Sequence, residues 1–250
     1  MTARRKRRSR PSLRARLRRF WLVGAVGLVA VAWGGWRLVT LPALRMESLA
    51  ITGLERVARS DVLARAHLDA TTNVWLWNRA AIARRIEALP YVETARVVVR
   101  PLANVWIEIA ERRPVACLRE AGGRAYTLDR AARVLADGCG AGLTLAYVLR
   151  ANLRPSLGEF LHDRELATLQ RDGETLSAAG DHFRTLSHDA FGQLDATLPD
   201  GILVRFGADT DLDRKQRLIE PILAELGSRA GNVGTVDLRA PTAPIVVYRR

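Results

Sequence analysis

The sequence predicts a single-pass membrane protein whose outer part is an α+β domain of order β-α-α-β-β, followed by a mainly antiparallel β domain with flanking helices. Three observations carry that expectation. A basic tail directly precedes an apolar run, helical and strand periodicities alternate over residues 44–111, and short strand-like segments dominate from there to the C-terminus. The first observation also changes the meaning of the net charge. The 250 residues carry 39 Lys plus Arg against 26 Asp plus Glu, a formal +13, yet ten of the basic side chains lie within residues 1–19. Residues 42–250 hold 28 basic and 26 acidic residues, close to balance. A nucleic-acid binder is not expected, because the tail has no aromatic side chain before Phe20 on which bases could stack. A hydrophobic content of 48% excludes a disordered chain, and two cysteines exclude a disulfide-dense scaffold or a four-Cys zinc site.

Residues 1–19 are read as a basic cytoplasmic tail and residues 20–41 as a transmembrane helix. Phe20 to Trp36 runs without a charge, and the apolar character resumes after Arg37 up to Leu41. At about 1.5 Å per residue this covers a hydrocarbon core of about 30 Å, provided Arg37 snorkels to the interface. Trp21, Trp33 and Trp36 stand near the ends, where interfacial aromatic belts form. Ala30-Val31-Ala32 and Arg18-Arg19 fit a cleavable signal, but apolar sequence continues past Ala32, so an uncleaved anchor is expected. The positive-inside rule then leaves the N-terminus in the cytoplasm and residues 42–250 outside.

The first outer domain, residues 42–115, opens with a strand over 44–52 that ends at Gly53. Ser60 is placed to cap a short helix with Asp61 in its first turn, and Asn78 to cap a second helix, Arg79 to Leu89. Ile82, Ile86 and Leu89 give that helix one apolar face, and Pro90 stops it. Ala95 to Arg100 and Val105 to Glu111 read as strands joined by a turn at Pro101–Asn104. In the second domain, residues 116–250, the pattern turns mainly to short strands, expected at Arg124–Asp129 and Val134–Leu135. Residues 162–171 read as a helix, with Gly173 and Gly180 as breaks after it. Leu212, Ile219, Ile222, Leu223 and Leu226 form a helical stripe kinked or restarted at Pro221.

Ile51-Thr52-Gly53, Leu89-Pro90-Tyr91-Val92 with Ala95 and Val97, and Glu111-Arg112-Arg113-Pro114-Val115-Ala116 occur in this order just outside the apolar run. Together they resemble the POTRA domain of the FtsQ/DivIB family of bacterial cell-division proteins. The resemblance returns in Leu198-Pro199-Asp200-Gly201 and in Val236-Asp237-Leu238-Arg239 with the strand that follows. In the middle it is thinner: Ala131-Ala132 stand where the family's hairpin carries a glycine turn. Membership of that family implies a non-catalytic scaffold linking early and late division proteins at midcell, in the cell inner membrane and at the septum. The implied partners are FtsB and FtsL, other divisome components, and lipid around residues 20–41 and the tail. Small-molecule substrates, cofactors and nucleic acid are not expected.

The candidate partner-binding residues are Ile245, Val246, Val247 and Tyr248 of the last strand, with Arg214, Arg217 and Arg239 as rim charge. If that strand is an edge its backbone can take up a partner strand, and proline at Val247 should remove a donor from it. An internal strand is the alternative. A recruitment surface is expected around Arg84, Arg85, Arg96 and Arg100. Cys117 and Cys139 either form a disulfide across a loop of about 20 residues or remain buried thiols. His67, His162, His182 and His188 have no zinc spacing and read as solvated loop residues, and no nucleophile elbow or phosphate loop occurs. A membrane-tethered envelope enzyme and a POTRA-type chaperone or transport component are the alternative functions.

Overall fold

In the computed structural model residues 13–178 and 183–249 are described, apart from the side chains of residues 13–20, 22, 23, 38 and 39. The tail residues Arg4 to Arg10, Gly180 and His182 fall outside the described residues. Helix α1 (Leu13–Val39) starts before the predicted span of residues 20–41, ends two residues short of it, and leaves Val26, Leu28, Val29, Val31, Trp33 and Trp36 exposed. Among the described residues, no helix is long and apolar enough to cross a membrane. Pro42, which cannot donate to a preceding helical turn, begins a short 3₁₀ turn, Pro42–Leu44.

The first domain contains β1 (Ser48–Thr52), α2 (Arg59–Ala66), α3 (Arg79–Glu87), β2 (Val92–Arg100) and β3 (Asn104–Glu111). Its sheet has the order β1-β3-β2, with β1 parallel and β2 antiparallel to the central β3. Val62 and Ala66 of α2 and Ile82 and Ile86 of α3 pack on Val97, Val99, Val105 and Ile107, so both helices cover one face. The Asn78 side chain accepts from the Ala81 N–H at 3.0 Å, as its cap position predicts. The expected cap of α2 is displaced. That helix starts two residues earlier, Ala58 occupies the cap without a side-chain bond, and the Ser60 hydroxyl points to Asp61 instead. Gly53, at φ 85°, is required where the chain leaves β1, since a Cβ there would lie 1.9 Å from the Ile109 carbonyl oxygen. Glu111 fixes the loop that follows by accepting from the N–H groups of Glu55, Arg56 and Val57. Burial by itself would raise the Glu111 pKa, but these three donors outweigh it and hold the carboxyl below its ordinary value.

The second domain is one nine-stranded sheet. Its strands are β4 (Pro114–Glu120), β5 (Ala125–Asp129), β6 (Val134–Asp137), β7 (Ala146–Leu149), β8 (Thr185–His188), β9 (Leu194–Thr197), β10 (Leu203–Gly207), β11 (Val233–Asp237) and β12 (Ile245–Tyr248). The spatial order is β12-β11-β10-β9-β8-β7-β4-β5-β6. Most neighbours are antiparallel, but β4–β7, β7–β8 and β10–β11 are parallel. Parallel neighbours need a crossover, and each has one. The β5–β6 hairpin intervenes in the first case, α4 (Arg164–Ala178) in the second, and α5 (Leu212–Gln216) with α6 (Ile219–Leu226) in the third.

Two expectations about breakers are corrected. Gly173 lies inside α4, where its lack of a side chain lets the helix approach the sheet: a Cβ would meet Leu186 Cδ1 at 3.1 Å and Tyr147 Oη at 3.2 Å. The helical stripe breaks at Arg217–Leu218, before Pro221, which sits in the first turn of α6 where its missing N–H costs nothing. Ala132 takes over the glycine position of the β5–β6 turn at φ 57°. The Asp129 carboxylate holds the turn in shape by accepting from the N–H groups of Ala131 and Arg133.

A buried ionic cluster fixes the junction of the two domains. Arg112, just past β3, donates to Asp129 at 2.7 Å and to the Val92 carbonyl at 3.2 Å. Arg133 reaches back from the second domain to the carbonyls of Glu87 and Leu89 at 2.9 and 3.2 Å. Both guanidiniums lie over the Phe160 ring. Burial, and then the neighbouring Arg112 charge, lower the Arg133 pKa.

Candidate functional site

The two ends of the large sheet are β12 and β6, so the last strand of the chain is an edge. Among the described residues its ladder within the sheet is the antiparallel one with β11, in which Asp237 faces Ile245, Val236 faces Val246 and Thr235 faces Val247. Side chains alternate across the strand. Val246 packs against the core, while Ile245 and Val247 stand on the open face at 60% and 52% exposure. Tyr248 is 42% exposed at the strand's end. Two β-branched side chains on an end strand form a surface that a monomeric fold gains nothing by leaving in water.

The backbone direction follows from the neighbouring ladder. The Leu238 N–H bonds to the Arg205 carbonyl at 2.8 Å, so Val236 and Leu238 turn their peptide groups to β10 and Thr235 and Asp237 turn theirs to β12. Their partners Val247 and Ile245 therefore bond inward, and Val246 and Tyr248 present theirs to the outside. The Arg249 N–H, bonded inward to the Asn232 carbonyl at 2.7 Å, keeps the same alternation. Proline at Val247 would thus break the β11–β12 ladder rather than the free edge. The outward donors belong to Val246 and Tyr248.

Across the open face, register places Asp195, Arg205, Asp237 and Ile245 in one row. Arg239 folds back on Asp237, with its Nη2 at 2.6 Å from Oδ2, and its hydrogen bonds are the largest cause of the lowered Asp237 pKa. Burial raises the pKa of Asp195, against the pull of Arg205. The edge thus offers two apolar side chains, an Asp–Arg–Asp ladder beside them, and Arg239 as the candidate charge next to the strand. Arg214 and Arg217 are exposed on α5 and at its C-cap, a helix packed against α4.

The four candidate recruitment arginines do not share a surface. Arg96 and Arg100 alternate with the core residues Val97 and Val99 and so face away from the helices, with Arg100 stacked 3.9 Å from the centre of the Trp106 ring. Arg84 is exposed on α3, on the helical side. Arg85 is committed to structure: its Nε and Nη2 donate to the Ala66 carbonyl at the end of α2. Cys117 and Cys139 are joined as a disulfide with Cα atoms 5.1 Å apart, clipping the loop after β6 onto β4.

The histidine expectation needs one correction. His188 closes β8 and is packed between two carboxylates of α4, 3.8 Å from Glu165 and 4.0 Å from Asp172. A strand residue facing a helix has no local sequence signal, because the contact joins distant segments. His67 is exposed at the C-cap of α2, His162 is exposed, and His182 lies outside the described residues. Among the described residues, no group of three or more His, Cys, Asp or Glu side chains could hold a metal.

A three-stranded α+β module, joined through the Arg112–Asp129–Arg133 cluster to a large sheet whose last strand is an edge, is the architecture that defines the class. Comparisons with known proteins show what the chain is similar to. Residues 44–112 match the model of the POTRA domain, FtsQ-type. Cell division protein FtsQ of Myxococcus fulvus is 31% identical over 109 residues, 42% of this chain and 37% of that protein. The match therefore spans little more than a third of that relative's length. Proteins of the same name from Syntrophotalea carbinolica and Streptomyces griseus are 26% identical over 228 residues and 28% over 217. These matches cover 88% and 81% of this chain, and 79% and 97% of the relatives. The resemblance to bacterial cell-division protein FtsQ read from the motifs is thus shown, and these homologues support a role in cell division.

Proposed function

We propose that the chain is a non-catalytic division scaffold, anchored in the cytoplasmic membrane by α1, that binds FtsB and FtsL outside the membrane by strand addition to β12. The observation that carries this reading is the end position of β12, with outward backbone groups at Val246 and Tyr248 and exposed side chains at Ile245 and Val247. Main-chain pairing supplies affinity in such a mode, and the alternate side chains supply selection. The unbroken course of α1 through residues 20–38 and its exposed apolar surface support the anchor, and the ten basic residues before Phe20 support a cytoplasmic N-terminus at the septal membrane. The exposed Arg96 and Arg100 face of the first domain is the better recruitment surface, since Arg85 is occupied.

Tyr248→Pro removes one outward donor at the end of the strand. It should weaken co-purification of FtsB by at least tenfold while far-UV circular dichroism stays unchanged. Undiminished FtsB capture by that variant would refute strand addition at β12. Val247→Pro serves as the contrast, since it loosens the fold itself.

A further inference from the structure

Two turns of the POTRA domain carry large apolar side chains into solvent. Trp75 and Leu76 come from the 3₁₀ turn Val74–Leu76, at 48% and 66% exposure, and Leu102 comes from Pro101–Ala103 at 77%. The domain core uses other members of the same turns, Val74 and Ala103, which are buried. Leu102 is held outward by its backbone. It and Ala103 are both left-handed, at φ 64° and 55°, and the Ala103 carbonyl accepts from the Glu47 N–H at 3.2 Å. A left-handed corner open to water ordinarily carries glycine or asparagine, so leucine there calls for a nonaqueous neighbour.

The position of these side chains names that neighbour. The Pro101–Ala103 turn packs against Pro42–Leu44, the first turn after α1. Leu76 lines the same cleft as Trp36, Thr40, Leu41 and Arg45, where the helix ends and the outer chain begins. Leu76 therefore shares a cleft with the C-terminal end of α1, and the Leu102 turn adjoins the first turn after that helix, with the exposed Arg45 in the cleft.

We infer that Trp75, Leu76 and Leu102 seat in the headgroup region of the leaflet from which α1 emerges, so that the POTRA domain rests on the membrane surface rather than swinging free on its tether. The inference depends on α1 being the anchor. Tryptophan and leucine at this depth bury apolar area while the domain stays in water, and Arg45 faces the lipid phosphates.

The test uses the full chain reconstituted in vesicles of phosphatidylethanolamine and phosphatidylglycerol, with nitroxide labels on single introduced cysteines. Labels go on Leu76→Cys and Leu102→Cys, with Val29→Cys within α1 and Phe191→Cys at the exposed β8–β9 turn of the second domain as references. The native cysteines are bonded to each other and do not take the label. Collision with oxygen relative to a water-soluble nickel chelate should be several-fold higher at 76 and 102 than at 191, and approach the value at 29. Lipid values at 29 with water values at 76 and 102 would overturn the membrane contact and leave that rim for a protein partner. Water values at 29 would overturn the anchor, and this inference with it.

Discussion

Asp129 is the residue whose loss should separate the two domains mechanically. Its side chain is 6% exposed and accepts three hydrogen bonds, from Arg112 Nη1 at 2.7 Å and from the N–H groups of Ala131 and Arg133 at 2.9 and 2.8 Å. Two bonds from neutral backbone donors at about 1 kcal/mol each and one bond between charged groups at about 1.5–3 kcal/mol put the cost of Asp129→Ala near 3.5–5 kcal/mol. That range agrees with the roughly 3–5 kcal/mol for breaking a buried ion pair from one side. Asp129→Asn keeps an acceptor for the turn and loses the charge, so its cost should be about 1–3 kcal/mol. The position of the tryptophans supplies the assay. Outside α1 they are Trp75, Trp77 and Trp106, all in the POTRA domain, whereas circular dichroism reports both domains. In urea the two probes should coincide for the parent chain. In Asp129→Ala they should part, because Arg112 and Arg133 then confront each other across Phe160 without the carboxylate between them. A loss below about 1 kcal/mol, or coincident transitions in the alanine variant, would show that the cluster does not couple the domains.

The disulfide closes a separation of 22 residues, so replacing both Cys117 and Cys139 by serine should lower stability by about 3 kcal/mol in the chain-entropy picture, read from urea unfolding without reductant. Gly173→Ala gains about 1 kcal/mol of helix propensity but forces a methyl against Leu186 and Tyr147, both buried, at an overpacking cost of about 1–3 kcal/mol. A lower melting temperature is expected, and an increase would mean that α4 can lift off the sheet. Asp172 is 3% exposed with Oδ2 lacking a hydrogen bond, and its pKa is raised by burial and then by Asp209, against the pull of His188 and Arg171. A carboxyl raised in the folded state favours folding only when protonated. Its penalty is present at neutral pH and is relieved as pH falls through the raised value toward the ordinary 3.8. Asp172→Asn should therefore add on the order of 1 kcal/mol at pH 7, and the gain should fade on acidification. A pH-independent gain would assign the effect to packing.

The β-α-α-β-β order of the POTRA domain was legible because each signal is local. Asn78 caps the helix that follows it, Ile82 and Ile86 repeat at helical spacing, and residues 92–111 alternate as strands do. The Ser60 cap failed because Ala58, two residues earlier, already has the extended backbone of a cap, and no side-chain bond was needed to start the helix. Gly173 misled for a different reason. A glycine reads as a breaker from its backbone freedom, and only the approach of Leu186 and Tyr147 from distant strands shows it serving as a gap.

The sequence alone determined the charge separation, the element order of the first domain and the resemblance to FtsQ, because composition, periodicity and motif spacing are properties of neighbouring residues. Tertiary structure decided which strand ends the sheet, which of its peptide groups point outward, and that Arg84 and Arg96 face opposite ways. It also brought Arg112, Asp129 and Arg133 into one buried cluster and set His188 between two carboxylates. Sheet order and junction contacts join residues tens of positions apart, and nothing in the spacing of a chain records which of its strands will lie side by side.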